Sequence, residues 1–223
     1  MVTSREFYRV MRRKINELFD DIVKYDGTVH KGHYHANDAG KCLRSTFFKY
    51  VVDSSPTTRT IARGRILVSM MLEAIALDAL KELGYDTKVH FTKKIDDDIY
   101  ISGEVDAINE REVVEIKTVT PTAIQYLPFT KDFYQINTYL WLSGRKHGTI
   151  IYLKSDNPAK YYTYQVQFRE DKLQETFNYF RELHKYVTTN TIPPKTSNVE
   201  LCKVCVFRKL CQRIDSVQKQ PGQ

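Results

Sequence analysis

Apolar residues recur every three to four positions in several long stretches of the chain, which is the pattern of amphipathic helices. The two longest stretches cover residues 3–22 and 60–83, and Gly84 is placed to end the second helix. Between residues 85 and 118 the period changes to two, which indicates strands. In chain order, the pattern predicts helices at 3–22, 38–52, 60–83, 121–142 and 170–187, and strands near 87–93, 98–108, 111–118, 147–154 and 161–168.

The order of these elements predicts an α/β fold with a mixed central β-sheet flanked by helices. Residues 24–38 carry no sustained period and are predicted to form a loop. This loop contains His30, His33 and His35, for which contact with solvent or phosphate is the favoured interpretation and metal binding the alternative. The residues after Ser216 are expected to be disordered.

The chain has 223 residues, a formal net charge of +7 and 12% aromatic residues. A basic, aromatic-rich protein suits a polyanionic partner, because cations displace counterions from nucleic acid and aromatic rings stack on unpaired bases. No stretch approaches the roughly 18 consecutive apolar residues of a membrane span, and the N-terminus is charged rather than signal-like. The sequence therefore predicts a cytoplasmic protein without membrane attachment.

The segment ISGEVDAINEREVVEIKT, residues 101–118, contains the strongest chemical signal. Asp106 closes one predicted strand, and Glu115, Ile116 and Lys117 lie in the next. Side chains two positions apart on a strand share a face, so Glu115 and Lys117 point the same way, and a short hairpin can bring Asp106 beside them. The sequence therefore predicts that these three charged side chains converge.

Such a group has the residue types that phosphodiester hydrolysis needs. Asp106 and Glu115, with the backbone carbonyl of Ile116, would supply oxygen ligands to Mg2+ or Mn2+. Lys117 would polarise the attacking water or stabilise developing charge. An ordinary glutamate–lysine pair on an exposed strand face is the alternative. The apolar neighbours of Glu115 weigh against this alternative, because they predict a buried strand. A charged side chain without a function is destabilising in such a strand.

The motifs G-E-V-D and V-E-I-K-T, which contain Asp106, Glu115 and Lys117, resemble the second and third motifs of RecB-like PD-(D/E)xK nucleases. In that family the matching residues bind magnesium or manganese and activate water. The next predicted helix contains Gln135 and Tyr139, which are similar to the family's Q-x-x-x-Y motif and share one helix face. The resemblance implies a RecB-like nuclease core in which this pair contacts the DNA strand or the active-site lysine.

Four cysteines form a second constellation. Cys202, Cys205 and Cys211 are spaced C-x2-C-x5-C near the C-terminus, and Cys42 lies far upstream. Four thiolates suit one tetrahedral site, in which Cys42 would join the N-terminal segment to the tail. Spacing alone leaves an iron–sulfur cluster and a structural zinc ion as alternatives, and disulfides are disfavoured in an intracellular protein.

A lone N-terminal cysteine and a C-x2-C-x5-C tail on a RecB-like core resemble the CRISPR-associated RecB-like exonucleases, the fourth family of CRISPR-associated proteins. The resemblance implies a structural four-iron, four-sulfur cluster on Cys42, Cys202, Cys205 and Cys211. It also implies exonuclease activity on single-stranded or frayed DNA ends, with nicking as an addition. The biological role that the resemblance implies is the trimming of prespacer DNA in CRISPR adaptation, with the spacer integrase as partner. A virus-encoded or repair nuclease with the same chemistry is the alternative.

On this basis the chain divides into four segments. Residues 1–59 form an N-terminal helical segment that contributes one cluster cysteine, and residues 60–190 form the RecB-like core. Residues 191–216 carry the other cluster ligands, and residues 217–223 form a disordered tail. The sequence leaves the oligomeric state open, with a homo-oligomer among the options.

One position departs from the family pattern. RecB-like nucleases carry a metal-binding histidine four residues after a glycine on the helix before the strands, whereas Gly64 is followed at that offset by Val68. Glu73, one to two turns further along, is a candidate substitute ligand, although a solvated helix position is the favoured interpretation. The departure keeps a catalytically silent DNA-binding subunit as the alternative to an active enzyme.

Overall fold

In the computed structural model, the described residues are 4–22, 31–52, 60–203 and 205–218. Their helices are α1 (Ser4–Ile22), α2 (Leu43–Val51), α3 (Thr60–Glu82), α4 (Thr130–Ser143), α5 (Glu170–Thr189), α6 (Val199–Lys203) and α7 (Arg208–Gln218), with 3-10 helices at Ala36–Asp38 and Pro121–Tyr126. The strands are β1 (His33–His35), β2 (Asp86–Asp96), β3 (Ile99–Ile108), β4 (Glu112–Val119), β5 (His147–Lys154) and β6 (Tyr161–Gln167). None of the helices in these ranges has an apolar stretch long enough to cross a membrane.

The six strands form one mixed sheet in the order β1, β3, β4, β5, β6, with β2 paired to β3 outside this path. β1 is parallel to β3 and β4 is parallel to β5, whereas the other neighbouring pairs are antiparallel. Parallel neighbours need a crossover connection, and α4 provides it between β4 and β5. The predicted α/β fold, a mixed sheet flanked by helices, is confirmed.

One edge of β3 is shared by two strands. β2 pairs with β3 from Ile99 to Ile108 and so occupies the first edge. On the second edge, β1 pairs with residues 100–102 of β3, whereas β4 pairs with residues 107–108 only. Residues 103–106 of β3 therefore border a gap between β1 and β4.

Apolar side chains pack on both faces of the sheet. On one face, Val113 of β4 belongs to a cluster with Ile136 of α4 and Phe180 of α5. On the other face, Val114 of β4 packs in a cluster with Leu80 of α3. Because side chains alternate along a strand, the odd-numbered positions of β4 face α4.

The predicted single helix over residues 121–142 is wrong. The chain forms a 3-10 helix at Pro121–Tyr126, and α4 begins only at Thr130. Pro128 lies between the two. Its ring and its missing N–H disfavour a helix interior, and its predecessor is pushed towards extended backbone.

The predicted loop over residues 24–38 is wrong near its C-terminal end. His33–His35 form β1, which pairs in parallel with Tyr100–Ser102. A strand of three residues is too short for a period to be recognised. Residues 23–30, which include His30, lie outside the described residues.

The second predicted helix begins later than expected. α2 starts at Leu43 rather than at Asp38, which ends a 3-10 helix. Gly40 lies between them with φ +70°, and a Cβ there would be 2.7 Å from Cδ2 of Tyr134. This left-handed backbone conformation favours glycine and prevents one continuous helix.

The predicted terminal segments are in contact with the rest of the fold. β1 and α2, which fall within residues 1–59, pack on β3 and α5. α7 extends to Gln218, two residues into the segment 217–223 for which disorder is expected. The remainder of that segment, residues 219–223, is not among the described residues.

Candidate active site

A cavity of about 430 Å³ lies at the gap between β1 and β4. Its walls combine residues of β3 that border the gap with residues of α3, β2, β4 and α4. All the residues predicted for the catalytic and metal site line it: Asp106, Glu115, Ile116, Lys117, Gln135 and Tyr139. The structure thus brings these six residues together.

Asp106 is buried where β3 and β4 separate. Its Oδ2 accepts a hydrogen bond of 2.8 Å from the backbone N–H of Ile116. If β3 and β4 continued to pair, a backbone carbonyl of β3 would accept this N–H. Here the side chain of Asp106 accepts it. Its Oδ1 accepts a hydrogen bond of 2.8 Å from Nζ of Lys88, so the carboxylate is held by two donors.

Glu115 lies on the face of β4 that meets α4 and is only 3% exposed. Its Oε1 accepts hydrogen bonds from Nζ of Lys117 at 2.5 Å and from Nε2 of Gln135 at 2.7 Å. Its Oε2 is also buried and has no hydrogen-bond partner among the described residues, which is costly for an acceptor. Burial raises the pKa of Glu115 to about 8, while Lys117 opposes that shift and Asp106 adds to it.

Lys117, Gln135 and Tyr139 continue this network. Nζ of Lys117 donates to Oε1 of Gln135 at 2.9 Å, and Nε2 of Gln135 donates to the hydroxyl of Tyr139 at 3.0 Å. The spacing of four residues places both α4 side chains on one helix face. Burial is the largest influence on the pKa of Lys117 and lowers it, but Glu115 and two further carboxylates together raise it more, so the net shift is upward. Lys117 is therefore held as an ammonium beside Glu115.

Gly103 allows β3 to approach α4 closely. A Cβ at this position would lie 2.5 Å from Cε1 of Tyr139 and 3.1 Å from Cβ of Ala36. Only glycine fits without displacing these groups. Burial raises the pKa of Tyr139, so its hydroxyl stays protonated over the gap.

Two charged residues that the sequence analysis missed also line the cavity, Lys88 on β2 and Glu104 on β3. Nζ of Lys88 contacts Asp106 and Glu73 and lies 3.3 Å from Oε1 of Glu104. Burial lowers the pKa of Lys88, but its hydrogen bonds to Asp106 and Glu73 raise it more. A signal for Glu104 was present, since it lies two residues before Asp106 on the same strand. Nothing in its local sequence singles out Lys88.

Glu73 is not the solvated helix residue that the sequence favoured. Its carboxylate forms an ion pair with Lys88, and it lines the cavity from α3. Val68, at the position where related nucleases carry a histidine, is 43% exposed and is not part of the cavity wall. The contribution of α3 to the cavity therefore comes from Glu73.

The acidic groups around the cavity fit a hard divalent cation. Carboxylate oxygens are the ligands that Mg2+ and Mn2+ prefer, and Oε2 of Glu115 is a buried acceptor without a partner in the described part of the chain. No group of three or more His, Cys, Asp or Glu side chains in the described ranges is arranged to hold a metal ion. Lys88 supplies a positive charge beside Asp106.

The sequence profile of the PD-(D/E)XK nuclease superfamily matches residues 7–212. The chain belongs to this superfamily. A comparison with curated proteins gave no match. Asp106, Glu115 and Lys117, the residues whose motifs resemble those of the family in the sequence analysis, all line one cavity.

Solved structures share the fold of this PD-(D/E)XK nuclease. SSO0001 superposes with a TM-score of 0.65 at 22% identity, covering 92% of this chain and 96% of that chain. LHK-Exo in complex with dAMP gives 0.53 at 13% identity, covering 72% and 92%. A putative exonuclease from Eubacterium rectale gives 0.54 at 10% identity, covering 94% and 93%. At these identities the likeness establishes the fold.

The cysteines of this PD-(D/E)XK nuclease line a second cavity, of about 760 Å³. All are free and partly exposed: Cys42, Cys202, Cys205 and Cys211. Cys42 precedes α2, and Cys202 and Cys211 lie on α6 and α7. The structure thus brings the four predicted cysteines to one cavity, although no set of three or more potential ligands within the described ranges is arranged around a metal ion.

Arg44 joins the elements that surround the cysteine cavity. It is buried, and its Nε donates to the carbonyl of Pro193 at 2.7 Å. Its Nη1 donates to Oδ1 of Asp215 at 2.7 Å and to Sγ of Cys211 at 3.4 Å. One guanidinium therefore connects α2 with Pro193, which lies between α5 and α6, and with α7.

Proposed function

We propose that this nuclease is a Mg2+- or Mn2+-dependent DNA exonuclease that acts on single-stranded or frayed ends. The observation that carries the proposal is the different surroundings of the two carboxylate oxygens of Glu115. One of its oxygens is held by Lys117 and Gln135, and the other is buried with no partner among the described residues. A nearby cation favours the charged form of such a carboxylate, which burial alone disfavours.

In this proposal Asp106, Glu115 and the backbone carbonyl of Ile116 hold the divalent cation. When bound, the cation would neutralise charge on the scissile phosphate and make water a better nucleophile. Lys117 lies 2.5 Å from Glu115, and an ammonium has three donors, so it can bind the attacking water or a phosphate oxygen as well. Such a preorganised donor stabilises the charge that develops in the transition state.

Gln135 and Tyr139 are proposed as positioning residues on α4. Gln135 bonds both Glu115 and Lys117, so it fixes the separation of the carboxylate and the ammonium. Tyr139 accepts a hydrogen bond from Gln135 and fixes the orientation of the amide. Contact of this pair with the DNA strand is part of the proposal.

The choice of a DNA end as substrate is supported by fold relatives and by charge. LHK-Exo carries the name of an exonuclease and was solved with dAMP bound. The protein from Eubacterium rectale is named a putative exonuclease. The net charge of +7 suits a polyanion such as DNA.

The decisive experiment measures cleavage of end-labelled single-stranded and duplex DNA with Mg2+, with Mn2+ and with EDTA. We expect stepwise shortening from an end in either metal, which is lost in EDTA and in Glu115→Gln. Glu110→Gln is the matched control, because Glu110 is exposed in the turn between β3 and β4. It should cleave like the wild type.

A catalytically silent DNA-binding subunit is the second candidate. Two observations favour it: Val68 stands where related nucleases carry a histidine, and Lys88 already neutralises Asp106. DNA binding by the folded wild type without cleavage in either metal would select this candidate over the enzyme.

We also propose that Cys42, Cys202, Cys205 and Cys211 hold a structural iron–sulfur cluster of the four-iron type. The proposal is supported by the convergence of four free thiols on one cavity, since four thiolates suit such a cluster. Protein purified without oxygen should be brown and contain iron. A colourless protein with one zinc ion per chain would select structural zinc instead.

For the biological role, we propose trimming of prespacer DNA ends in CRISPR adaptation, together with the spacer integrase. The combination of RecB-like motifs with the C-x2-C-x5-C tail supports this role. A prespacer with a long single-stranded overhang should be integrated efficiently only when this nuclease accompanies the integrase. Equal integration without it would favour the alternative, a virus-encoded or repair nuclease.

A further inference from the structure

Lys88 has an unusual backbone conformation for its position. It lies within β2, where φ angles are strongly negative, yet its φ is 56°. That left-handed region favours glycine, and other residues adopt it only when their surroundings stabilise it. A lysine at this point indicates a role that depends on its side chain.

The side chain of Lys88 reaches three carboxylates in the active-site cavity. Nζ donates to Oδ1 of Asp106 at 2.8 Å, contacts Glu73 and lies 3.3 Å from Oε1 of Glu104. Carboxylates gathered this closely disfavour one another's charge unless a cation lies among them. Lys88 is the cation that this structure places there.

The two oxygens of Asp106 have different partners. Oδ2 accepts the backbone N–H of Ile116, which belongs to the sheet. Oδ1 is therefore the oxygen that remains for a metal ion, and it is the oxygen that Lys88 holds. The ammonium and a divalent cation would compete for it.

We propose that Lys88 is an internal counter-ion that exchanges with the divalent cation: it holds Glu73, Glu104 and Asp106 together without metal, and it leaves Asp106 when metal binds. The inference rests on the proposed function, because it needs a metal ion at Asp106. The lysine side chain is 36% exposed and has a flexible four-carbon stem. It can therefore move away from Asp106 without a change in β2.

The test compares the full-length wild type with Lys88→Met and with Lys94→Met, all freed of divalent metal. Methionine keeps the apolar stem and removes the charge. Lys94 lies on the same strand but pairs with the exposed Asp97 and is not part of the cavity wall. Calorimetric titration gives the Kd of Mn2+, and thermal unfolding is recorded in EDTA and in Mn2+.

Removal of the competing charge is expected to lower the Kd of Mn2+ about tenfold in Lys88→Met. In EDTA the same variant is expected to unfold at a lower temperature than the wild type, because its three carboxylates then lack a counter-ion. In saturating Mn2+ this difference should disappear. Lys94→Met should match the wild type in Mn2+ affinity and in both unfolding temperatures.

Equal Kd values for Mn2+ in Lys88→Met and in the wild type would overturn the exchange and leave the proposed metal site intact. No binding of Mn2+ by either protein would overturn the proposed metal site and the exchange with it. Lys88→Gln, which is uncharged but polar, carries the same expectation for Mn2+ affinity and replaces Lys88→Met if that variant does not fold.

Discussion

The active-site cavity and the cysteine cavity are organised in different ways. In the active-site cavity, Glu115, Lys117 and Gln135 bond to one another at 2.5–2.9 Å. In the cysteine cavity, the thiols share one space but their contacts run to other groups, such as Ser45 and Arg44. Opposite charges and complementary donors assemble a site within the protein itself, whereas four like thiols need a ligand to draw them together.

The largest expected effect comes from breaking the hydrogen bonds that join Glu115, Lys117 and Gln135 in the active-site cavity. Lys117→Met removes the ammonium that bonds Glu115 and Gln135. We expect the initial rate of DNA cleavage in Mn2+ to fall by a factor on the order of 100 or more, as for other preorganised donors. Lys172→Met, at a lysine on α5 outside both cavities, is the control and should retain the rate.

The same variant tests whether the two cavities are independent. Visible absorption from the cysteine cavity should be unchanged in Lys117→Met. If absorption were lost together with cleavage, the active-site cavity and the cysteine cavity would form one cooperative unit.

The next effect is expected at the cysteine cavity. Cys211→Ser should abolish the visible absorption and lower the free energy of unfolding by on the order of 2 kcal/mol or more, because ligand binding there contributes to folding. The cleavage rate per folded molecule should change far less than in Lys117→Met. Ser216→Ala, at an exposed position on α7, is the control. Full absorption in Cys211→Ser would contradict the four-cysteine ligand set.

A smaller effect tests how tightly the active-site cavity is packed. Gly103→Ala would place a Cβ 2.5 Å from Cε1 of Tyr139, and such overpacking is expected to cost about 1–3 kcal/mol in urea unfolding. Gly64→Ala is the matched control, because the nearest atom to its Cβ is 3.9 Å away, on Ile15. In a helix that change is expected to stabilise by up to about 1 kcal/mol. Equal effects of the two changes would contradict the close approach of β3 and α4.

The smallest effect concerns pH. The pKa of Glu115 in the folded chain, about 8, lies above its ordinary value of 4.5, so the folded state binds this proton more tightly than the unfolded state. Its contribution to stability is complete below about pH 4.5 and is lost as pH rises through about 8. In EDTA, we expect the wild type to lose roughly 1 kcal/mol relative to Glu115→Gln between about pH 7 and pH 8.

Urea unfolding at a series of pH values measures this loss. Mn2+ should reduce it, because a cation favours the charged carboxylate. A constant difference between the two proteins in EDTA across this range would contradict the raised pKa.

The residues of the candidate active site that could be predicted lie close together in the sequence. Asp106, Glu115 and Lys117 fall on two consecutive strands, and Gln135 and Tyr139 share one helix. Strand alternation and helix periodicity are local rules, so they place such residues on a common face. The α/β fold was predictable for the same reason.

The remaining features depend on contacts between distant parts of the chain. Lys88 meets Glu73 of α3 across the cavity, and β1 joins a strand more than sixty residues later. The periodicity of apolar residues along the sequence gives no information on such contacts. The break before α4 had a local signal in Pro128, which the helical pattern around it obscured.

The hydrogen bond from the backbone of Ile116 to Asp106 has a consequence for the evolution of this fold. A descendant that lost its catalytic activity would still need an acceptor such as aspartate or asparagine at position 106, because a residue without a side-chain acceptor leaves a buried N–H of the sheet without a partner. Glu115 is under a weaker constraint, since its hydrogen bonds come from the side chains of Lys117 and Gln135, which can change together with it, and not from the sheet backbone. Inactive descendants should therefore be recognisable by a change at position 115 while position 106 keeps such an acceptor.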